Sequence, residues 1–117
     1  MGFCKRNQIM MNINWPNTTN RIRHHDSNET DEHFYMKVGI CLAIFRQGGT
    51  YFTESKLKRG VCDIFWLDEK MVVEIETNYT EKKAAWKMKQ YDPFNVIIID
   101  IKKMTLDDAL IKLGLDK

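Results

Sequence analysis

The stretch from Lys58 to Thr77, KRGVCDIFWLDEKMVVEIET, constrains the fold of this chain more than any other. Two apolar, β-rich runs, Val61 to Leu67 and Met71 to Thr77, flank the polar turn Asp68-Glu69-Lys70, which predicts a β-hairpin. Pairing Leu67 with Lys70 sets Asp63 directly opposite Glu74. Side chains alternate along strands, so Cys62, Ile64, Trp66, Met71, Val73 and Ile75 are expected on one face. Val61, Asp63, Phe65, Val72, Glu74 and Glu76 are expected on the other. Three carboxylates then share one side of a sheet whose reverse is apolar.

Like charges opposite each other on a sheet cost roughly 0.2–1 kcal/mol per pair, and crowding pushes one carboxyl pKa upward. Two readings follow from the spacing: a solvated outer face, or a site for a hard cation held by a few carboxylates and waters. Without metal the cluster is expected to be a liability, so that Asp63→Asn leaves the protein as stable or slightly more so.

The rest of the chain supplies elements for one domain. Its 117 residues, 44% hydrophobic, suffice to bury a single core. Ser27 or Asn28 is expected to cap a helix with Phe34, Val38, Cys41 and Phe45 as its apolar stripe, ended by Gln47-Gly48-Gly49. Tyr51 to Glu54 is expected as a short strand and Lys56 to Gly60 as a basic loop. After the hairpin, Asn78 is expected to cap a helix from Tyr79 to Tyr91 that packs through Ala84, Ala85, Met88 and Tyr91 and stops at Asp92-Pro93. The unbroken run Val96 to Ile99 predicts a central strand covered on both faces. A last helix is capped by Thr105, packs through Leu106, Ala109, Leu110 and Leu113, and ends at Gly114. The order αβββαβα predicts an α/β sandwich with a mixed sheet flanked by helices.

Charge divides the chain differently. Residues 1–25 hold Lys5, Arg6, Arg21 and Arg23 and no acid, so they carry +4; the formal total of +2 leaves −2 on the remaining 92 residues. Residues 1–28 are therefore expected to form a basic, Asn-rich arm and 29–117 the folded domain. Such an arm suits phosphate contacts, while its bland alternative is a poorly ordered terminus. Cys4, Cys41 and Cys62 show no C-x-x-C pairing, and no stretch approaches a membrane span. The expectation is a cytoplasmic protein with reduced thiols, no membrane partner and no organic cofactor.

Gly60-Val61-Cys62-Asp63 followed by Val72-Val73-Glu74-Ile75-Glu76-Thr77 resembles the PD-(D/E)XK superfamily of restriction-endonuclease-like nucleases, and the Glu-Ile-Glu-Thr ending is similar to archaeal and archaeal-virus members. The resemblance extends to Glu32-His33-Phe34 with Lys37, to Thr53-Glu54-Ser55, and to Gln90-Tyr91. It implies the restriction-endonuclease-like αβββαβα core and a metal-dependent nuclease acting on DNA. Asp63 and Glu74 would hold Mg²⁺ or Mn²⁺, with the Ile75 carbonyl as a further ligand and Glu54 as an additional one. Glu76 stands where the superfamily usually has lysine, so it is expected to act as general base or second-metal ligand, with Lys83 or Lys87 supplying the missing cation. Arg21, Arg23, Lys56, Lys58, Arg59 and Lys87 are the candidate DNA contacts. Glu32, His33 and Lys37 are secondary candidates, equally readable as surface or structural residues. Small size favours a homodimer on DNA. The competing classes are a nuclease-fold DNA-binding module without catalysis, and a domain whose acidic face binds a protein.

Overall fold

Residues 60 to 76 form the expected hairpin because each strand alternates toward two different apolar layers. The computed structural model describes residues 19–24 and 29–116. In chain order these form α1 (Asp31–Arg46), β1 (Tyr51–Leu57), β2 (Gly60–Trp66), β3 (Met71–Glu76), α2 (Glu81–Gln90), β4 (Asn95–Asp100) and α3 (Leu106–Leu113). The sheet order is β1-β2-β3-β4, antiparallel except for the parallel β3–β4 pair. Among the described residues the fold is thus α/β, with a four-stranded mixed sheet and three helices. Val96 to Ile99 lies on an edge strand of that sheet instead of a central one. Its apolar run is nonetheless accounted for, since both of its faces enter a core layer.

One layer joins Met36, Ile40 and Ile44 of α1 and Ala109 and Leu113 of α3 to Ile64, Val73 and Ile99. The other packs Ala84 and Tyr91 against Phe52, Phe65, Val72 and Ile98. The carboxylate-bearing side of the hairpin is therefore no solvated outer face; α2 covers it. Cys62 packs with Phe65 and not, as strict alternation requires, with Ile64. The cause lies across the strand: Glu54 has a left-handed φ of 47°, and the β1–β2 ladder skips the Glu54–Asp63 step. A local break there reverses the facing of both strands.

Helix boundaries differ in instructive ways. Thr30 caps α1 by accepting from the His33 N–H, and Thr80 caps α2 by accepting from Lys83 N–H. The anticipated caps were Ser27 or Asn28, which lie outside the described residues, and Asn78. Phe45 is 57% exposed, whereas Lys37 and Ile44 are buried, so α1 is rotated by ~100°, one residue's turn, from the expected stripe. In α2, Ala84 faces inward while Ala85 and Met88 are exposed. Strand β1 runs on through Leu57, leaving only Lys58-Arg59 as the turn. Thr105 and Gly114 (φ 71°) bound α3 as expected, with a full capping box at Asp108.

The described part of the arm is not independent of the domain. Asn20 exchanges hydrogen bonds with Tyr51, the Arg21 carbonyl accepts from Thr53 Oγ1 at 2.6 Å, and Arg23 N–H donates to the same oxygen at 2.8 Å. Ile22 packs against the first core layer. Residues 20–23 therefore lie against β1 and the first core layer.

Candidate active site

The regular β2–β3 ladder ends at the Ile64–Val73 pair. Continuing that register sets Asp63 opposite Glu74, as the hairpin spacing predicts, but side chains replace the ladder there. Asp63 N–H donates to Glu74 Oε2 at 3.0 Å, and Ile75 N–H donates to Asp63 Oδ2 at 2.7 Å. Each carboxylate thus satisfies a backbone donor that the opened ladder would orphan. Both acids line an open cavity of about 400 Å³ together with Glu29, His33, Glu76 and Lys87.

A chain of alternating charge crosses the sheet through this point. Lys37, fully buried, sits 3.0 Å from Glu54 Oε2 and 2.9 Å from Glu29 Oε2. Glu29 meets His33 Nδ1, and His33 Nε2 lies 3.4 Å from Asp63 Oδ2. On the far side Lys87 Nζ donates to Glu74 Oε1 at 2.8 Å. Burial opposes a charge on His33, but the hydrogen bonds and charges of Asp63 and Glu29 outweigh it and lift its pKa to about 9. For Asp63 burial works upward, yet His33 and the Ile75 N–H hold the carboxyl below its ordinary range. Burial and the Asp63 charge push Glu74 up to about 7, only partly offset by Lys87. Lys87 is itself raised: burial is outweighed by Glu74, Glu76 and Asp63.

The electrostatic liability is therefore Glu74, not Asp63. The expectation that Asp63→Asn is neutral or stabilising reverses, since the ionised Asp63 is favoured by the fold. A pH dependence follows from these signs. Glu74 is harder to ionise folded than unfolded, so stability falls as pH rises from about 4.5 to about 7. His33 is easier to protonate folded, so its contribution is complete below 6.5 and is lost as pH rises through about 9. The Glu74 limb is worth on the order of 3 kcal/mol and the His33 limb less, because solvent screens that partly exposed ring. Thermal unfolding followed from pH 5 to pH 9 is expected to show a continuous decline, with Glu74→Gln flattening the lower limb and His33→Gln the upper. A midpoint that rises across this range would contradict both assignments.

The structure brings Asp63, Glu74, Glu76, His33 and Lys87 to one cavity. Glu54 and Lys37 stand behind it, joined to it through Glu29. Lys83 is exposed and donates to the Asn78 carbonyl at 3.3 Å. Glu32 is exposed on the first turn of α1, and Lys56, Lys58 and Arg59 are exposed at the β1–β2 end. Arg21 and Arg23 have exposed side chains on the strip beside β1. Glu29 is the site residue that motif reading passed over. Its signal was present in the i, i+4, i+8 spacing of Glu29, His33 and Lys37.

No family model matches the chain, and no curated protein or solved structure matches it. The superfamily resemblance rests on the motifs alone.

Among the described residues, no three His, Cys, Asp or Glu side chains surround a common point as a metal cage. Mg²⁺ needs less than that: one or two carboxylates beside retained waters suffice. Asp63 and Glu74 at an open cavity fit such an ion in donor chemistry. The raised pKa of Glu74 marks a carboxylate whose ionised form an added cation would favour. Lys87 holds one oxygen of Glu74, so a cation would share that carboxylate with the lysine. Cys41 and Cys62 are buried free thiols, with burial pushing Cys41 up to about 12, which makes them core residues rather than nucleophiles. No helix among the described residues is long and apolar enough to cross a membrane.

Proposed function

We propose that this protein is a metal-dependent nuclease acting on DNA, built on a restriction-endonuclease-like core. The observation that carries the reading is the paired Asp63 and Glu74 carboxylates at the opened β2–β3 ladder, flanked by Lys87 at the mouth of the 400 Å³ cavity. Asp63 and Glu74 would hold Mg²⁺ or Mn²⁺, with the Ile75 carbonyl beside them, and the ion would polarise the scissile phosphate and neutralise developing charge. Lys87 adds a fixed positive charge where a phosphate would sit. Glu76, half-buried at the cavity wall, is the proton acceptor for the attacking water. His33 positions Asp63 and keeps it ionised. Cations at Lys56, Lys58, Arg59, Arg21 and Arg23 would contact the phosphate backbone. Tyr35, Leu42 and Phe45, exposed along one side of α1, would support pairing as a homodimer.

Labelled linear, branched and single-stranded DNA incubated with Mg²⁺, Mn²⁺ or EDTA tests the reading. Cleavage is expected with either metal and is expected to vanish in EDTA. Binding without cleavage in both metals would make the protein a nucleic-acid-binding module, and neither binding nor cleavage would leave a protein-interaction domain.

A further inference from the structure

Helix α2 turns two different faces to two different tasks. Ala84 and Lys87 point toward the sheet and Glu74. On the opposite side Lys82, Trp86 and Lys89 recur at i, i+4 and i+7, which places them on one outward stripe. Trp86 is 61% exposed, and Tyr79, just ahead of the helix, is exposed as well. A large aromatic ring standing in solvent on a helix that packs only through its other face contributes little to folding. The helix carries four lysines and one acid, Glu81, so its net charge is +3. Lys87 is neutralised by Glu74, while Lys82 and Lys89 remain exposed beside the ring.

The cationic surface continues past the helix end. Gln90 Nε2 donates to the Arg59 carbonyl at 2.7 Å, tying the end of α2 to the exposed turn Lys58-Arg59. Gly60 permits that approach, because a Cβ there would overlap the Gln90 amide. Trp86 and its flanking lysines thus lead along α2 to a second basic corner, on the helix that also delivers Lys87 to the candidate active site.

We propose that the outer face of α2 is a platform for unpaired nucleic acid, with Trp86 and Tyr79 stacking on bases and Lys82, Lys89 and the Lys58-Arg59 turn holding the phosphates. Exposed aromatic rings select for unpaired bases, because stacked bases inside a duplex offer no free face. Lysines beside them supply attraction that is blind to sequence. This deepens the nuclease reading and rests on it for the substrate: single-stranded segments, or junctions that expose them, delivered to Glu74 by the helix that bears Lys87.

Binding and cleavage are measured separately. Fluorescein-labelled oligo(dT) and a blunt duplex of equal length are titrated with the full chain in EDTA, where no metal-dependent cleavage occurs. Wild type is expected to bind oligo(dT) more tightly than duplex, with quenching of tryptophan fluorescence. Trp86→Ala is expected to weaken oligo(dT) binding by about tenfold or more and leave duplex binding unchanged, while Trp86→Phe retains most of it. Lys82→Gln with Lys89→Gln is expected to weaken both and flatten the salt dependence. Equal affinity of wild type and Trp86→Ala for oligo(dT) would overturn the platform, whatever cleavage shows. A Trp86→Ala protein that light scattering shows to have lost a wild-type dimer would overturn it too, by assigning the ring to a protein interface. Tight, Trp86-dependent binding without cleavage in Mg²⁺ would keep the platform and sink the nuclease.

Discussion

Replacing Lys37 by methionine is expected to cost the fold about 3–5 kcal/mol, the usual scale for stranding one side of a buried ion pair. The ammonium is fully buried and donates to the Arg23 carbonyl at 2.6 Å besides meeting Glu29 and Glu54. Methionine reproduces the stem of the lysine and none of its donors. Both carboxylates would lose the ammonium between them, although Glu29 keeps His33, and the 20–23 strip would lose an anchor to α1. Glu54 holds a left-handed backbone, which costs of order 1–3 kcal/mol and persists where the surroundings fix it. Lys37 is part of what fixes it. Urea unfolding at pH 7 measures the loss. Adding Glu54→Gln to Lys37→Met is expected to recover part of it by removing one carboxylate that has lost the ammonium, and a single-variant loss under 1 kcal/mol would show that other groups satisfy both acids.

That lysine also marks where sequence reading stops. The hairpin register was legible because a slip of one residue would exchange every inward and outward side chain. Helix α3 was legible for a local reason: Thr105 and Gly114 each do their work within one turn. For α1 the helix was readable and its buried face was not. A count of apolar residues selects Phe34, Val38, Cys41 and Phe45, whereas the inward side carries Lys37 and the half-buried His33. Their burial depends on Glu29, Glu54 and Asp63, and two of these arrive from strands far along the chain. No period in the sequence records that convergence. The choice between Lys83 and Lys87 has the same character, since it turns on the angle at which α2 crosses the sheet. The left-handed Glu54 was invisible for a different reason: glutamate is an ordinary strand residue by propensity, and tertiary contacts alone place it off the ladder.

Read as one object, the site couples stability and chemistry with opposite signs on neighbouring acids. Asp63 is held ionised by His33 and belongs to the fold. Burial and Asp63 raise the pKa of Glu74 to about 7, so a cation bound there would displace its proton and its affinity would rise with pH up to that value.

Within the proposed nuclease, Lys87→Gln is expected to lower metal-dependent cleavage by a factor of about 10²–10⁴, the scale for losing a positioned charge or proton-transfer group. Lys87 Nζ lies 2.8 Å from Glu74 Oε1, and its charge feels Glu76 as well. The resemblance implies a lysine at the position of Glu76, so in the proposed nuclease α2 would supply the cation that the strand lacks. Lys87 lowers the pKa of Glu74; removing it raises that pKa above about 7. The acid limb of the pH–rate profile should therefore move to higher pH in Lys87→Gln, a signature that a purely structural role would not produce. Adding Glu76→Lys to Lys87→Gln returns a cation to the same cavity from the strand but removes the proposed proton acceptor, so the double variant is expected to cleave no faster than Lys87→Gln alone, and a faster rate would show that a cation there matters more than the Glu76 carboxylate. Unfolding curves for each variant separate these effects from simple loss of fold. If Lys87→Gln cleaves at the wild-type rate with an unmoved acid limb, the lysine neither sets the titration of Glu74 nor stabilises the reacting phosphate, and the charge that does must come from elsewhere on the surface.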